Sequence, residues 1–244
     1  MSATDSGVFG RFAETYDQTV NSVIAASGED VGYFARLKAE LARTMLAATP
    51  PATMLDFGCG VGQTIRELQD AFPAAHITGC DASRRSIKSA REHLGESARL
   101  RFVPSSEMRL PFNDAGFDAI VASCVLHHIE RDQHAHWIGE IRRVLRPGGS
   151  VLVFEHNPYN PLTRRVVRTC PFDDGVELLR PGYTATLLRQ GGLRPSAPHY
   201  YFFFPHALRA LRRLDPRLHR VPLGGQYLML GRRAASDSLS TPKS

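Results

Sequence analysis

Residues 53–62 read Thr53-Met54-Leu55-Asp56-Phe57-Gly58-Cys59-Gly60-Val61-Gly62. An apolar run drives toward a carboxylate, Asp56, and three glycines then fall at alternate positions, Gly58, Gly60 and Gly62. A helical-looking segment, 63–72, follows at once. Strand, glycine-rich turn and helix in that order make a nucleotide-type binding loop. Without a Cβ the backbone can take positive φ and come within contact of a ligand. The helix N-terminus then offers unpaired N–H donors.

The spacing narrows the ligand. A dinucleotide fingerprint, G-x-G-x-x-G, would put its third glycine at position 63, which is Gln63; the third glycine comes one place early. A phosphate loop of the G-x-x-x-x-G-K-S/T type is absent. The pattern D-x-G-x-G-x-G instead resembles motif I of the class I S-adenosylmethionine-dependent methyltransferases. In that family the loop wraps the methionine part of the cofactor, so the resemblance implies Asp56, Gly58, Cys59, Gly60 and Gly62 as cofactor-binding residues.

The next apolar run, Ala75-His76-Ile77-Thr78-Gly79-Cys80, ends at Asp81 with Ala82 beside it, 19 residues after Gly62. An acidic residue about 20 positions on accepts hydrogen bonds from ribose hydroxyls in such folds, and its charge would repel a 2′-phosphate. A third run, Leu100 to Val103, leads to Ser105-Ser106-Glu107-Met108-Arg109-Leu110-Pro111-Phe112. The resembling family has an Asp there that holds the adenine amino group. Alignment on Leu110-Pro111-Phe112 puts Ser106 at that place, with Glu107 next to it. A neutral hydroxyl makes a weaker hydrogen bond than a carboxylate.

A fourth strand pattern, Gly116 to Ser123, precedes Val125-Leu126-His127-His128, and a helix over 137–145 stops at Arg146-Pro147-Gly148-Gly149. Residues 150–155 read as a fifth strand ending in Glu155. The resemblance runs from about 52 to 155 and implies an α/β, Rossmann-like, seven-stranded and mostly parallel sheet, with helices on both faces and an antiparallel last strand. Ligands in such sheets sit at the carboxyl ends of the strands, where Asp56, Asp81, Ser106, Ser123 and Glu155 all fall.

The 244 residues divide into a helical cap (1–48), a core (49–232) with insertions at 157–180 and 203–222, and a polar tail (233–244) expected to be disordered. Two helices are expected in the cap, over 8–20 and 31–48. The second carries an apolar stripe of Phe34, Leu37, Leu41 and Met45. Tyr16, in the first, lies in a segment resembling the one that caps the cofactor site in small-molecule members of the family. No run of 18 apolar residues occurs, and the N-terminus has no signal-peptide pattern. The four cysteines show no C-x-x-C pairing and read as small core residues of a reducing cytoplasm.

The net charge of +6 is carried by arginine, with Lys only at 38, 88 and 243. Nucleic acid is a disfavoured partner, because no recognition module or basic aromatic platform accompanies the charge. The loop Glu155-His156-Asn157-Pro158-Tyr159 is not the N-P-P-Y motif of amino-methylating nucleic-acid enzymes, which belongs after the fourth strand. Leu208, Leu211, Leu214 and Leu218 recur at helical spacing among arginines, which leaves peripheral membrane contact open. The sequence carries no signal for an oligomeric state.

The resemblance implies S-adenosylmethionine as cofactor and in-line methyl transfer to an O, N or C atom of a small or medium organic acceptor. The alternatives are a lipid-like, quinone-like or lipid-linked acceptor at a membrane surface, and a protein that binds the cofactor without turnover. If the acceptor must lose a proton, His128 or His127 is placed to take it. Tyr16, Glu155, His156 and Tyr159 are substrate-binding candidates. Adjacent His127 and His128 are expected to diverge, and His134 and His136 not to share a helix face, so no metal site is expected.

Overall fold

Four apolar runs of the core form parallel neighbours: β1 (Thr53–Phe57), β2 (His76–Asp81), β3 (Leu100–Pro104) and β4 (Phe117–Ser123). Being covered on both faces, such strands read as near-continuous apolar segments rather than alternating ones. β5 (Leu145–His156) adds to β4, and the order in the sheet is β3-β2-β1-β4-β5-β8, with β6 (Leu193–Pro195) and β7 (His199–Tyr201) both on the far side of β8 (Gln226–Arg233). β8 runs antiparallel to β5 and to both short strands. β6 and β7 are two pieces of one edge position, which makes seven positions in all and matches the sequence expectation. The computed structural model describes residues 21–105, 108–171, 173 and 175–235. The helix expected over 8–20 with Tyr16, the pair Ser106 and Glu107, and residues 236–244 of the tail lie outside the described residues.

Strand alternation sorts the core into two halves. Leu55, Ile120, Val151 and Val153 face helices α4 (His134–Val144) and α6 (Pro181–Gln190), meeting Ile138, Ile141 and Leu188. Met54, Val121, Leu152 and Phe154 face α1 (Val31–Met45), α2 (Gln63–Ala71) and α3 (Arg84–Leu94), meeting Ala42, Ile65 and Ala90. The helix ends follow local chemistry. Asp30 caps α1 through Tyr33 N at 2.6 Å, and Ser83 caps α3 through Ser86 N at 3.1 Å. Asn160 caps α5 (Pro161–Thr169), whose first residue is proline, the residue best tolerated there.

Two expectations differ from the fold. β8 reaches Arg233, so the sheet takes in the first residue of the expected tail. The leucine stripe does not lie on one α-helix: residues His206–Leu214 form 3-10 turns, Leu208 leaves helical dihedrals, and a short α7 (Asp215–Leu218) follows. Three residues per turn put Leu208, Leu211 and Leu214 in line, and Leu208 and Leu211 remain 48% and 37% exposed. Among the described residues no helix is long and apolar enough to cross a membrane.

Candidate functional site

The carboxyl ends of β1, β2 and β4 open into one cavity of about 820 Å³, closed on the other side by α1 and α5 and by Phe202 and Phe203. Asp56, Gly58, Cys59, Gly60, Asp81, Ala82 and Ser123, all expected at a cofactor site, line it. The glycines divide by role. Gly62 has φ +87 and caps α2, and a Cβ there would meet Leu94 Cδ1 at 2.6 Å, so it serves helix packing and does not line the cavity. A Cβ on Gly58 would strike Val125 at 2.5 Å. Gly60, at φ +53, has nothing within 4 Å of the same position; its missing side chain leaves room in the cavity.

Asp56 is 1% exposed, and neither carboxylate oxygen has a hydrogen-bond partner among the described residues. Burial pushes its pKa up to about 7, against the pull of Lys38 and with the help of Asp81. An orphaned anion at a cavity wall calls for a cation. Asp81 accepts Gly60 N–H at 2.9 Å and Ser83 N–H at 2.8 Å. Each oxygen keeps a lone pair for a further donor. Burial raises its pKa and these two bonds hold it down.

Sequence reasoning missed Lys38. It sits on the buried stripe of α1, one turn from Phe34, and is 9% exposed. Its Nζ donates to Ser123 Oγ at 2.8 Å and lies 3.6 Å from Cys124 Sγ. A lysine interrupting an apolar stripe was the available signal. Cys124, read as a core residue, instead lines the cavity, with a strained φ of +55. Burial pushes its thiol up, but Lys38 and His156 bring it down to about 7.

On the acceptor side, the 3-10 turn Leu126–His128 directs both histidines to one place. The expected divergence of the pair is not what the chain does; the rings stand 4.1 Å apart. His127 Nδ1 is 2.5 Å from Glu155 Oε2, and Glu155 Oε1 accepts Leu126 N–H at 3.1 Å. Glu155 is fully buried and therefore holds His127 rather than touching an acceptor, a correction to its reading as a substrate contact. Asp173, from the inserted loop, brings Oδ1 to 3.5 Å from His127 Nε2 and 3.4 Å from His128 Nε2.

Burial alone would lower the His127 pKa, yet the Glu155 and Asp173 carboxylates hold it well above the ordinary value. His128 goes the other way, down to about 3, through burial and the neighbouring His127 charge. A base so weak has little pull on a proton, which disfavours the expected His128 as a general base. His156 lines the cavity, 5.4 Å ring to ring from His127. Tyr159 does not: Asn157 Oδ1 takes its N–H in a tight turn, and the side chain is 51% exposed, which corrects its assignment to the site. Tyr16, Ser106 and Glu107 lie outside the described residues.

A family model described as a methyltransferase domain matches residues 54–149, which hold Asp56, the glycines, Asp81 and both histidines. This stretch belongs to the class I S-adenosylmethionine-dependent methyltransferases. A trans-aconitate 2-methyltransferase of Azoarcus sp. is 30% identical over 71% of this chain and 65% of its own length. A sterol 24-C-methyltransferase of Gibberella zeae is 40% identical over 43% of this chain and 28% of its own. The chain spans less than two thirds of the length of these curated relatives. A solved methyltransferase of Thermotoga maritima shares the fold with a TM-score of 0.65 at 17% identity, over 92% of this chain and 98% of that one.

The cofactor of this family is S-adenosylmethionine, and the residues fit it. The orphaned Asp56 suits an ammonium, Asp81 suits ribose hydroxyls, Lys38 suits a carboxylate, and the room above Gly60 suits close approach of the ligand. Replacing Asp81 with Ala is expected to weaken S-adenosylmethionine binding at least about tenfold, the worth of one or two charge-assisted hydrogen bonds. Isothermal titration checks it, and an unchanged dissociation constant would remove the ribose role.

Proposed function

We propose that this methyltransferase moves a methyl group from S-adenosylmethionine to an apolar, medium-sized acceptor that presents one polar reacting atom. The observation that carries this reading is the distribution of polarity in the cavity. Away from the cofactor residues much of the wall is apolar, with Ile24, Val31, Phe34, Val166, Phe202 and Phe203, interrupted by Arg165, Asn160 and Thr163 on the α5 side. Two histidines and a carboxylate gather at one place on that wall, His127, His128 and Asp173. A volume of about 820 Å³ lies toward the upper end of the ~300–1,000 Å³ common for ligand sites and has room for a cofactor and an acceptor side by side. Of the acceptors named for the two relatives, a sterol fits the apolar part of these walls better than a tricarboxylate, for whose three charges the described lining outside the cofactor residues offers one arginine, Arg165.

S-adenosylmethionine supplies an activated methyl group on a sulfonium. The protein's part is to hold the acceptor atom in line at about 3–3.5 Å and to exclude water. The apolar walls fix the body of the acceptor and leave its polar atom against the histidines. Release of S-adenosylhomocysteine over a panel of acceptors tests the reading. Apolar alcohols, phenols or quinols are expected to be turned over and polycarboxylates not; the reverse ranking would sink it.

One further observation favours delivery of a lipid-like acceptor from a membrane. Tyr159, Leu162, Leu208, Leu211 and Leu223 are exposed, on segments adjoining the cavity residues Asn160, Thr163 and Pro205. Arginines 164, 165, 168, 209 and 213 lie on the same segments. Apolar side chains ringed by cations suit an anionic bilayer surface. Co-sedimentation with phosphatidylglycerol vesicles is the check, and protein left in the supernatant at low salt argues for an acceptor taken from solution.

A further inference from the structure

We infer that His127, His128 and Asp173 form a binding site for a divalent first-row transition-metal ion, zinc or iron(II), on the wall of the acceptor cavity. Among the described residues they are the one group of three such side chains whose ligand atoms all lie within 4.8 Å of one another. The two distances from Asp173 are those of a coordination shell. Asp173 Oδ1 stands 3.5 Å from His127 Nε2 and 3.4 Å from His128 Nε2, longer than the usual ~2.7–3.2 Å of a hydrogen bond. Ligand atoms bound at about 2.0–2.2 Å in tetrahedral geometry stand roughly 3.3–3.6 Å apart.

The surroundings agree with the spacing. His127 is buried, and its Nε2 has no hydrogen-bond partner among the described residues. Its Nδ1 lies 2.5 Å from the fully buried Glu155 carboxylate, which also accepts Leu126 N–H at 3.1 Å. A metal-binding histidine almost always gives its second nitrogen to such a carboxylate, which sets the tautomer and points the lone pair at the metal. Two imidazoles and one carboxylate leave open positions, as in two-histidine, one-carboxylate sites. Since all three residues line the cavity, those positions face the acceptor.

An ion there would bind an acceptor oxygen and lower its pKa, so that it attacks as the anion near neutral pH. This role rests on the cavity being the acceptor site; metal binding itself does not. A hard magnesium ion, which prefers oxygen ligands and octahedral geometry, is expected to bind poorly.

The full chain, stripped with a chelator and dialysed against zinc, is expected to retain one equivalent by plasma mass spectrometry. Asp173→Asn and His127→Ala are expected to fall below about 0.1 equivalent, and Glu155→Gln to bind about 10–100-fold more weakly. S-adenosylhomocysteine titrated into the same variants should bind as in wild type. Wild-type protein that takes up no metal, or equal uptake by wild type and Asp173→Asn, overturns the inference, and retained S-adenosylhomocysteine binding then leaves the proposed function standing. Asp173→Asn, a near-isosteric change at a partly exposed loop residue, covers the case in which His127→Ala fails to fold.

Discussion

Gly60→Val is expected to leave the protein folded and to cut S-adenosylhomocysteine affinity by at least about 100-fold, near 2.7 kcal/mol. The two halves of that result have separate causes. A side chain at Gly60 meets no protein atom within 4 Å, so the fold loses only the cost of a β-branched residue at φ +53, roughly 1–3 kcal/mol. The same branch projects into the cavity, where the cofactor must approach the backbone. Gly62 makes the contrast, because its added Cβ would meet Leu94 and damage the packing of α2 on α3. Circular dichroism melting and isothermal titration on one preparation read both halves. Retained affinity in a folded variant would mean that the cofactor lies elsewhere.

Asp56→Asn is expected to weaken cofactor binding at least about tenfold, yet to stabilise the unliganded protein at pH 8. Burial raises the Asp56 pKa to about 7 in the folded state, whereas an unfolded aspartate titrates near ~3.9. The sign follows. Below about pH 4 both states hold the proton and the carboxyl has no pH-linked cost. As pH rises toward 7 the unfolded chain ionises freely and the folded one does not, so stability falls. Above about pH 7 the cost is complete and on the order of 4 kcal/mol at most. Losing the attraction of Lys38, which opposes the shift, subtracts from the gain. Thermal melts at pH 4.5 and pH 8 should therefore show the variant gaining on wild type only at the higher pH. An equal difference at both values would contradict an unpaired buried carboxylate waiting for a cation.

The sheet and the donor half of the site were legible because their signals are local. Asp56 and Gly60 sit four residues apart, and Asp81 closes the next strand at the spacing the turn requires. Each element could be read within one supersecondary unit. Gly62 shows the limit of that reading: the third glycine belongs to the same pattern but serves helix packing. The acceptor half depends on long-range contacts that periodicity does not encode. Asp173 is 45 residues from His128, in a loop whose letters give no hint of a histidine partner. Adjacent positions stand about 100° apart on an α-helix and about 120° apart on a 3-10 turn, so no backbone period announces that His127 and His128 meet; both rings face Asp173 instead. The leucine stripe was misjudged for a related reason, since spacings of three suit 3-10 and α-helical periods almost equally.

The central claim is that one cavity holds S-adenosylmethionine against an apolar acceptor. Its most direct test incubates the purified protein with methyl-labelled S-adenosylmethionine and a total small-molecule extract, then partitions the mixture between water and an organic solvent. Wild-type-dependent label is expected in the organic phase. Label appearing only in water-soluble products would contradict it.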